Sequence, residues 1–271
     1  MRDAFVLHTQ QGVSLLTAPN LHRPGLIHAF STRQGGVSRP PYESLNLGKA
    51  GEDPREGILE NYRRFAKAAG FVLESLVMAR QIHGAHIRAV TASDCGQGLY
   101  TPVPKDCDGL MTRSSGVTLG VFSADCVPIL LTDPVTKAIA AVHAGWRGTA
   151  AGMAARAVNA MREAYGTDPA HLLCAIGPSI HPCCFETDQD VPDAMRFAWR
   201  QDAQPYLHSL SPSRWKVDLQ GLNRLWLTKA GVPDTSISDS GCCTCCDETL
   251  FYSHRRQGAR RGSMLAVIGW R

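Results

Sequence analysis

A chain of 271 residues that is 44% apolar and 19% charged has enough apolar side chain to bury a sizeable core, which excludes intrinsic disorder. Its net charge of +4, with no long Lys/Arg run, makes no electrostatic case for nucleic-acid binding but is compatible with a phosphate-bearing substrate. No apolar run approaches the roughly 20 residues that cross a bilayer, and MRDAFVLHTQ lacks the basic and apolar blocks of a signal peptide, so a cytoplasmic protein free of the membrane is expected.

The first clear element is a helix over 53–70. Asp53 stands as cap, Pro54 at the first position and Glu56 three residues after the cap, with Ile58, Tyr62, Phe65, Ala66 and Ala69 at helical spacing and Gly70 as the stop. Short apolar runs bounded by Gly, Pro or Asp then predict strands at 117–123, 126–132 and 138–143. The third strand leads through a Gly-rich turn into a helix over 152–165, closed by Gly166. That order leaves His143 at the carboxyl end of a strand, where α/β proteins place ligands. A strand at 172–176, a helix at 219–230 followed by Gly231, and a strand at 264–268 complete the pattern. The elements predict an α/β fold, a layered α/β sandwich with a mixed central sheet. No linker-like tract divides the chain, so 1–271 is expected to form a single domain.

Ten cysteines in a cytoplasmic chain of this size are expected to be reduced thiols or metal ligands. Four of them, Cys242, Cys243, Cys245 and Cys246, crowd into CCTCC; adjacent pairs do not readily all turn toward one tetrahedral ion, so a reduced structural turn is the expectation. His83 in QIHG, Cys126 in SADC and His143 in VHAGW stand out differently, each in an otherwise apolar or Gly-rich turn. Taken singly, each also fits a packing role, since cysteine in particular packs well as a small hydrophobe.

Eight ordered words decide more than any one residue. They are TRQGGVS at 32–38, SLNLG at 44–48, QIHG at 81–84, DCDGLMT at 106–112, SADCVPILL at 123–131, AVHAGWRGTAAG at 141–152, IGPSIHPCCFE at 176–186 and FYSHRR at 251–256. Together they resemble the bacterial laccase-domain proteins, once called multicopper polyphenol oxidases and now described as zinc-dependent purine nucleoside phosphorylases. The resemblance runs from about residue 26 to the C-terminus.

It implies that His83, Cys126 and His143 are metal ligands, and the chemistry agrees: two imidazoles and a thiolate suit zinc, with a fourth position left open as in catalytic sites. Copper is the alternative metal. The resemblance further implies purine nucleosides and phosphate as small-molecule partners, adenosine, inosine and guanosine among them, with methylthioadenosine cleavage and adenosine deamination as further activities. Phosphorolysis needs cationic groups to hold phosphate. Arg255 in FYSHRR and Arg64 on the first helix match phosphate-binding positions; the family pattern has Asn-Arg near Arg64, where this chain has Asn61 followed by Tyr62, so Arg63 is the other candidate there. Asn46 in SLNLG resembles a nucleoside-contacting residue.

Asp125, next to a ligand, is expected to orient that ligand or accept a proton. Arg147 has an anion-binding reading and a plain ion-pair reading. Cys183 and Cys184 fall in a family word, but His181 stands where the pattern has glycine, which favours packing for them. His86 reads as an exposed turn residue. Two other reaction classes compete. Copper-dependent phenol oxidation of the laccase kind would need His-x-His pairs, and none of the 10 histidines forms one. A hydrolase with Cys126 as nucleophile and a histidine as base would draw on the same residues as the metal site.

Overall fold

The structure is a computed structural model that describes residues 5–48 and 52–271. The first four residues of the N-terminal segment lie outside the described part. In chain order the elements begin with strands β1 (Val6–Gln10), β2 (Val13–Thr17) and β3 (Leu26–Ser31), helix α1 (Arg55–Ala69), and strands β4 (Leu76–Met78) and β5 (Ile87–Ala89). Strands β6 (Gly109–Thr112), β7 (Thr118–Ser123), β8 (Val127–Thr132) and β9 (Ile139–Ala144) follow, then helices α2 (Trp146–Ala150) and α3 (Met153–Tyr165) and strand β10 (Leu173–Ile176). The last third holds β11 (Glu186–Thr187), α4 (Asp190–Trp199), β12 (Leu207–Ser211), β13 (Arg214–Val217), α5 (Leu219–Lys229), β14 (Ile237–Asp239), α6 (His254–Gln257) and β15 (Met264–Trp270).

The expected layered α/β sandwich is present, with its mixed sheet doubled. One six-stranded sheet runs β1-β2-β3-β15-β7-β4, the second runs β14-β10-β8-β9-β6-β5, and a small sheet β11-β13-β12 stands apart. Strand alternation dictates the stacking, because successive side chains point to opposite faces. In β8 and β9, Leu130, Ile139 and Ala141 join Val121, Ala266 and Ile268 in the core between the large sheets. Their neighbours Ile129, Leu131, Ala140 and Val142 face the other way, onto Met153 and Ala157 of α3 and Leu222 and Leu227 of α5. On the far side, Leu265 and Val267 of β15 pack with Tyr62, Phe65 and Ala66 of α1. The layers are therefore helix, sheet, sheet, helix. A strand buried on both faces has no polar face to write, which is why β8, β9 and β15 are continuous apolar runs.

The five predicted strands recur as β7, β8, β9, β10 and β15 within a residue or two at each boundary, and the three predicted helices as α1, α3 and α5. Gly70 and Gly166 close α1 and α3 at φ 80° and 71°, the left-handed conformation that glycine takes without steric cost. Asp53 does not cap α1, which starts after Pro54; its carboxylate instead accepts hydrogen bonds from Ser38 Oγ and Asn46 Nδ2, both at 2.7 Å. The Gly-rich turn after β9 contains the extra short helix α2. Among the described residues no helix is long and apolar enough to cross a membrane.

Candidate metal centre and its cavity

Strand register brings the first two ligands together. β8 and β9 pair antiparallel with Val127 opposite Ala144 and Pro128 opposite His143, so Cys126, one residue before β8, falls beside His143 at the end of β9. β6 pairs with the other edge of β9, with Gly109 opposite Val142, which puts Asp108 beside His143. The His143 backbone N–H donates to the Asp108 carbonyl at 2.7 Å, and the ring Nδ1 lies 2.9 Å from Asp108 Oδ1. A fully buried carboxylate as acceptor fixes the proton on Nδ1 and leaves Nε2 free to face Cys126.

His83 reaches the site from the loop between β4 and β5, where its φ of 60° lies in the left-handed region that non-glycine residues rarely adopt. Asp108 holds that turn too. Its carboxylate accepts the backbone N–H groups of Ile82, His83 and Gly84 at 3.2, 2.9 and 2.7 Å. Such a backbone costs about 1–3 kcal/mol and persists where its surroundings over-determine it. One aspartate thus positions two histidines.

The donor atoms of His83, Cys126 and His143 all lie within 4.8 Å of one another, and the two imidazoles meet edge to face with ring centroids 5.0 Å apart. Burial pushes the Cys126 thiol up, but His143 and His83 outweigh it and bring it down to about 6. Burial pulls His143 down, while the Cys126 thiolate and the Asp108 carboxylate raise it to about 9. Without a metal, the two directions favour a thiolate beside an imidazolium. The thiolate is already the species a metal binds, and the imidazolium proton is the one that binding displaces. Gly145 leaves the room: a Cβ there would lie 3.0 Å from Cys126 Sγ and 3.1 Å from His83 Cδ2. Two imidazoles and a thiolate with an open side fit zinc.

That open side faces a cavity of about 450 Å³, within the roughly 300–1,000 Å³ usual for small-molecule sites. Its walls include Phe122, Trp146, Ile180 and Phe185 on the apolar side and Arg147, Arg255 and Arg261 on the cationic side. Gln81 pins the Phe122 wall with both ends of its amide, donating to the carbonyl at 2.9 Å and accepting from the N–H at 2.7 Å. Arg255 lies over the Phe185 ring, 5.6 Å from its centroid, and donates to the Cys184 carbonyl at 2.9 Å. Arg147 lies over Trp146 at 4.1 Å.

The residues expected from sequence fall into two groups. His83, Cys126, His143, Asp125 and Arg255 all line the cavity. Both carboxylate oxygens of Asp125 are already engaged, Oδ1 by the Thr244 hydroxyl at 2.7 Å and Oδ2 by the Arg255 N–H at 2.6 Å, so this residue holds the Arg255 segment against the site. Asn46 and Arg64 do not line the cavity. Asn46 is fully buried, donates to Asp53 and accepts from the N–H groups of Gly48 and Ser263 at 2.9 and 3.0 Å. Arg64 sits on the exposed face of α1, bonded to Glu60 at 3.0 Å and to the Gly35 carbonyl at 3.3 Å; Arg63 lies 3.7 Å from the same glutamate.

Two residues that the sequence did not single out belong to the site. Asp108 stands inside a quoted word, DCDGLMT, but without the fold its partners are invisible. Arg261 follows FYSHRR with no distinguishing pattern, yet it lines the cavity, its Nε has no partner among the described atoms, and burial pulls its pKa down while Asp125 and Cys126 oppose that.

The model of a family described as multi-copper polyphenol oxidoreductase laccase matches residues 27–271. A Geobacillus stearothermophilus protein named purine nucleoside phosphorylase YlmD is 41% identical over 250 residues, 91% of each chain. A protein of an unknown prokaryotic organism, named adenosine deaminase RL5, is 34% identical over 247 residues, covering 89% of this chain and 93% of its own. The crystal structure of YlmD from Geobacillus stearothermophilus matches the fold with a TM-score of 0.93 at 40% identity, over 99% of both chains.

Proposed function

The chain belongs to the family described as multi-copper polyphenol oxidoreductase laccase, and from that premise we propose that it is a zinc-dependent purine nucleoside phosphorylase, splitting adenosine, inosine or guanosine with phosphate. The observation that carries this reading is the meeting, in one cavity, of a His–Cys–His donor triangle with three arginines and three large aromatic side chains.

His83, Cys126 and His143 would hold the ion. Once bound, zinc supplies a Lewis acid that polarises a substrate atom. The rest falls to the chain. The guanidinium groups of Arg255 and Arg261, and of Arg147 at the rim, bind and orient phosphate toward the sugar carbon, where a new C–O bond forms as the C–N bond to the purine breaks. Phe122, Trp146 and Phe185 give the cavity an apolar wall against which a purine packs and from which water is excluded. Asp108 keeps the Nδ1 proton of His143 so that Nε2 stays a donor to the ion. Asp125 keeps Arg255 at the cavity wall.

Zinc is favoured over copper because no His-x-His pair is available for a laccase-like copper cluster, and metal analysis of protein purified without added copper separates the two. A relative named for adenosine deamination supports that activity at the same site as a second reading. The test incubates zinc-loaded protein with each nucleoside in phosphate buffer and follows free base and ammonia. Phosphate-dependent base release that vanishes in His83→Ala supports phosphorolysis. Ammonia alone favours deamination, and no product from any nucleoside, with His83→Ala indistinguishable, contradicts both.

A further inference from the structure

A second group of soft donors lies outside the cavity. The turn after β10 carries Cys183 and Cys184, and the turn before α6 carries Cys243 and Cys246; their four sulfurs lie within 4.8 Å of one another. Cys246 Sγ is 3.5 Å from Cys183 Sγ and 3.3 Å from Cys184 Sγ, and all four residues are free thiols. A tetrahedral ion with metal–sulfur bonds of about 2.3 Å sets its sulfurs roughly 3.8 Å apart, so the four need only small shifts to enclose one.

One backbone donor is placed for a thiolate. Cys243 and Cys246 bracket the word Cys-Thr-Cys-Cys, and the His181 N–H donates to the Cys243 sulfur at 3.4 Å. N–H donation stabilises the deprotonated sulfur. The two turns are already fastened: Ser179 bridges Cys243, and Thr244 N–H donates to the Ser179 carbonyl at 3.0 Å. Arg256 clasps the carbonyls of Thr244 and Cys245 at 2.9 and 2.7 Å, and Arg255 the carbonyl of Cys184. These two guanidinium groups would offset the net negative charge of a divalent ion held by four thiolates. Cys242 and Cys245 stand outside the group, Cys242 Sγ turning to the Ser240 carbonyl at 3.4 Å. Only two of the four cysteines in CCTCC are used, and they are not adjacent; the adjacent pair comes from the other turn, where Cys183 and Cys184 both point their sulfurs at Cys246.

We propose that Cys183, Cys184, Cys243 and Cys246 form a second, structural site for a thiophilic divalent cation of the zinc class. Four thiols give up four protons to solvent as four metal–sulfur bonds form, and no electron moves. With every coordination position filled by protein, the site has no place for substrate. Its effect is mechanical: it ties the turn that delivers Phe185 to the cavity to the turn whose Thr244 anchors Asp125. Cys183 and Cys246 are exposed, so an ion enters from solvent without unfolding.

The test uses the reduced full chain under anaerobic conditions. Wild type should retain two zinc ions per chain after desalting, and a His83→Ala/His143→Ala variant one. Cobalt(II) titrated into that variant should give the intense thiolate charge-transfer and tetrahedral d–d bands, and adding Cys184→Ser and Cys246→Ser should abolish them. A measurement on wild type guards against misfolded variants: Cys183 and Cys246 should resist iodoacetamide in zinc-loaded protein and react after a chelator is added. One zinc per wild-type chain, equal labelling with and without chelator, or a Cys184–Cys246 disulfide in zinc-replete protein would each overturn the proposal.

Discussion

The His83–Cys126–His143 triangle and the Cys183–Cys184–Cys243–Cys246 cluster use the same kind of donor in opposite settings. Two donors of the triangle stand at the ends of β8 and β9, strands buried on both faces, and the third, His83, comes from the β4–β5 loop that the buried Asp108 carboxylate holds in place; the free side opens on a cavity. The cluster sits where two turns meet near the surface, and its four sulfurs lie within 4.8 Å of one another. Donors on a rigid frame with one partner missing create reactivity, whereas donors on loops that complete each other create cohesion. The same contrast appears in the protonation of two metal-free thiols, Cys126 and Cys183.

The largest expected difference between the two regions is in alkylation of metal-free, reduced protein. Cys126 is held down to about 6 by the histidines against the push of burial, while burial and neighbouring thiols push Cys183 up to about 11. Cys126 should therefore be labelled by iodoacetamide with a midpoint near pH 6 and Cys183 only in the alkaline range, their thiolate fractions differing roughly a thousandfold at pH 8. Restoring zinc should protect Cys126. Persistent labelling in zinc-loaded protein would favour a nucleophilic thiol, a role for which the Cys126–His143–Asp108 arrangement is also suited.

A smaller effect should follow Asp108→Asn. It removes the charge that fixes the His143 tautomer and weakens the acceptor for the Ile82, His83 and Gly84 N–H groups, so zinc affinity at the triangle should fall by roughly 10–100-fold in a chelator competition. Binding at the cysteine cluster should be unchanged; loss of both together would break the separation drawn here.

Next comes Arg261→Ala, which removes a half-buried cation from the cavity wall and should raise the KM for phosphate at least roughly tenfold, the worth of a charge-assisted hydrogen bond, with zinc content intact. The smallest effect is expected for Arg64→Ala. Exposed pairs such as Arg64–Glu60 contribute little, so stability should move by less than about 0.5 kcal/mol and the phosphate KM by less than about twofold. A large KM effect there would return Arg64 to the phosphate site that the motif resemblance gave it.

The parts legible from sequence are those whose residues carry their own signal. α1 shows its helical spacing, and β7, β8, β9, β10 and β15 are apolar runs because they are buried. His143 and Cys126 interrupt such runs, so they stand out, and the motif resemblance joins His83 to them. β1 is exposed on most of its length and has no buried face to write; β4 and β5 are three residues long, too short for any period. Asp108 acts on groups 24 to 35 residues away, and Arg261 meets the cavity from the irregular segment between α6 and β15, which carries no period. Asn46 carried a resemblance but spends its hydrogen bonds on Asp53, Gly48 and Ser263. The pairing of Cys183 and Cys184 with Cys243 and Cys246 spans about 60 residues and is equally silent locally.

Phosphorus NMR of the reaction mixture tests the central claim most directly. With zinc-loaded protein, inosine and inorganic phosphate, a sugar-phosphate resonance should grow in step with free base, disappear when the triangle is stripped of metal or Cys126 is changed to Ala, and return to the stripped wild type with zinc. Free base accompanied by unphosphorylated sugar, or a sugar-phosphate signal that survives Cys126→Ala, would contradict it.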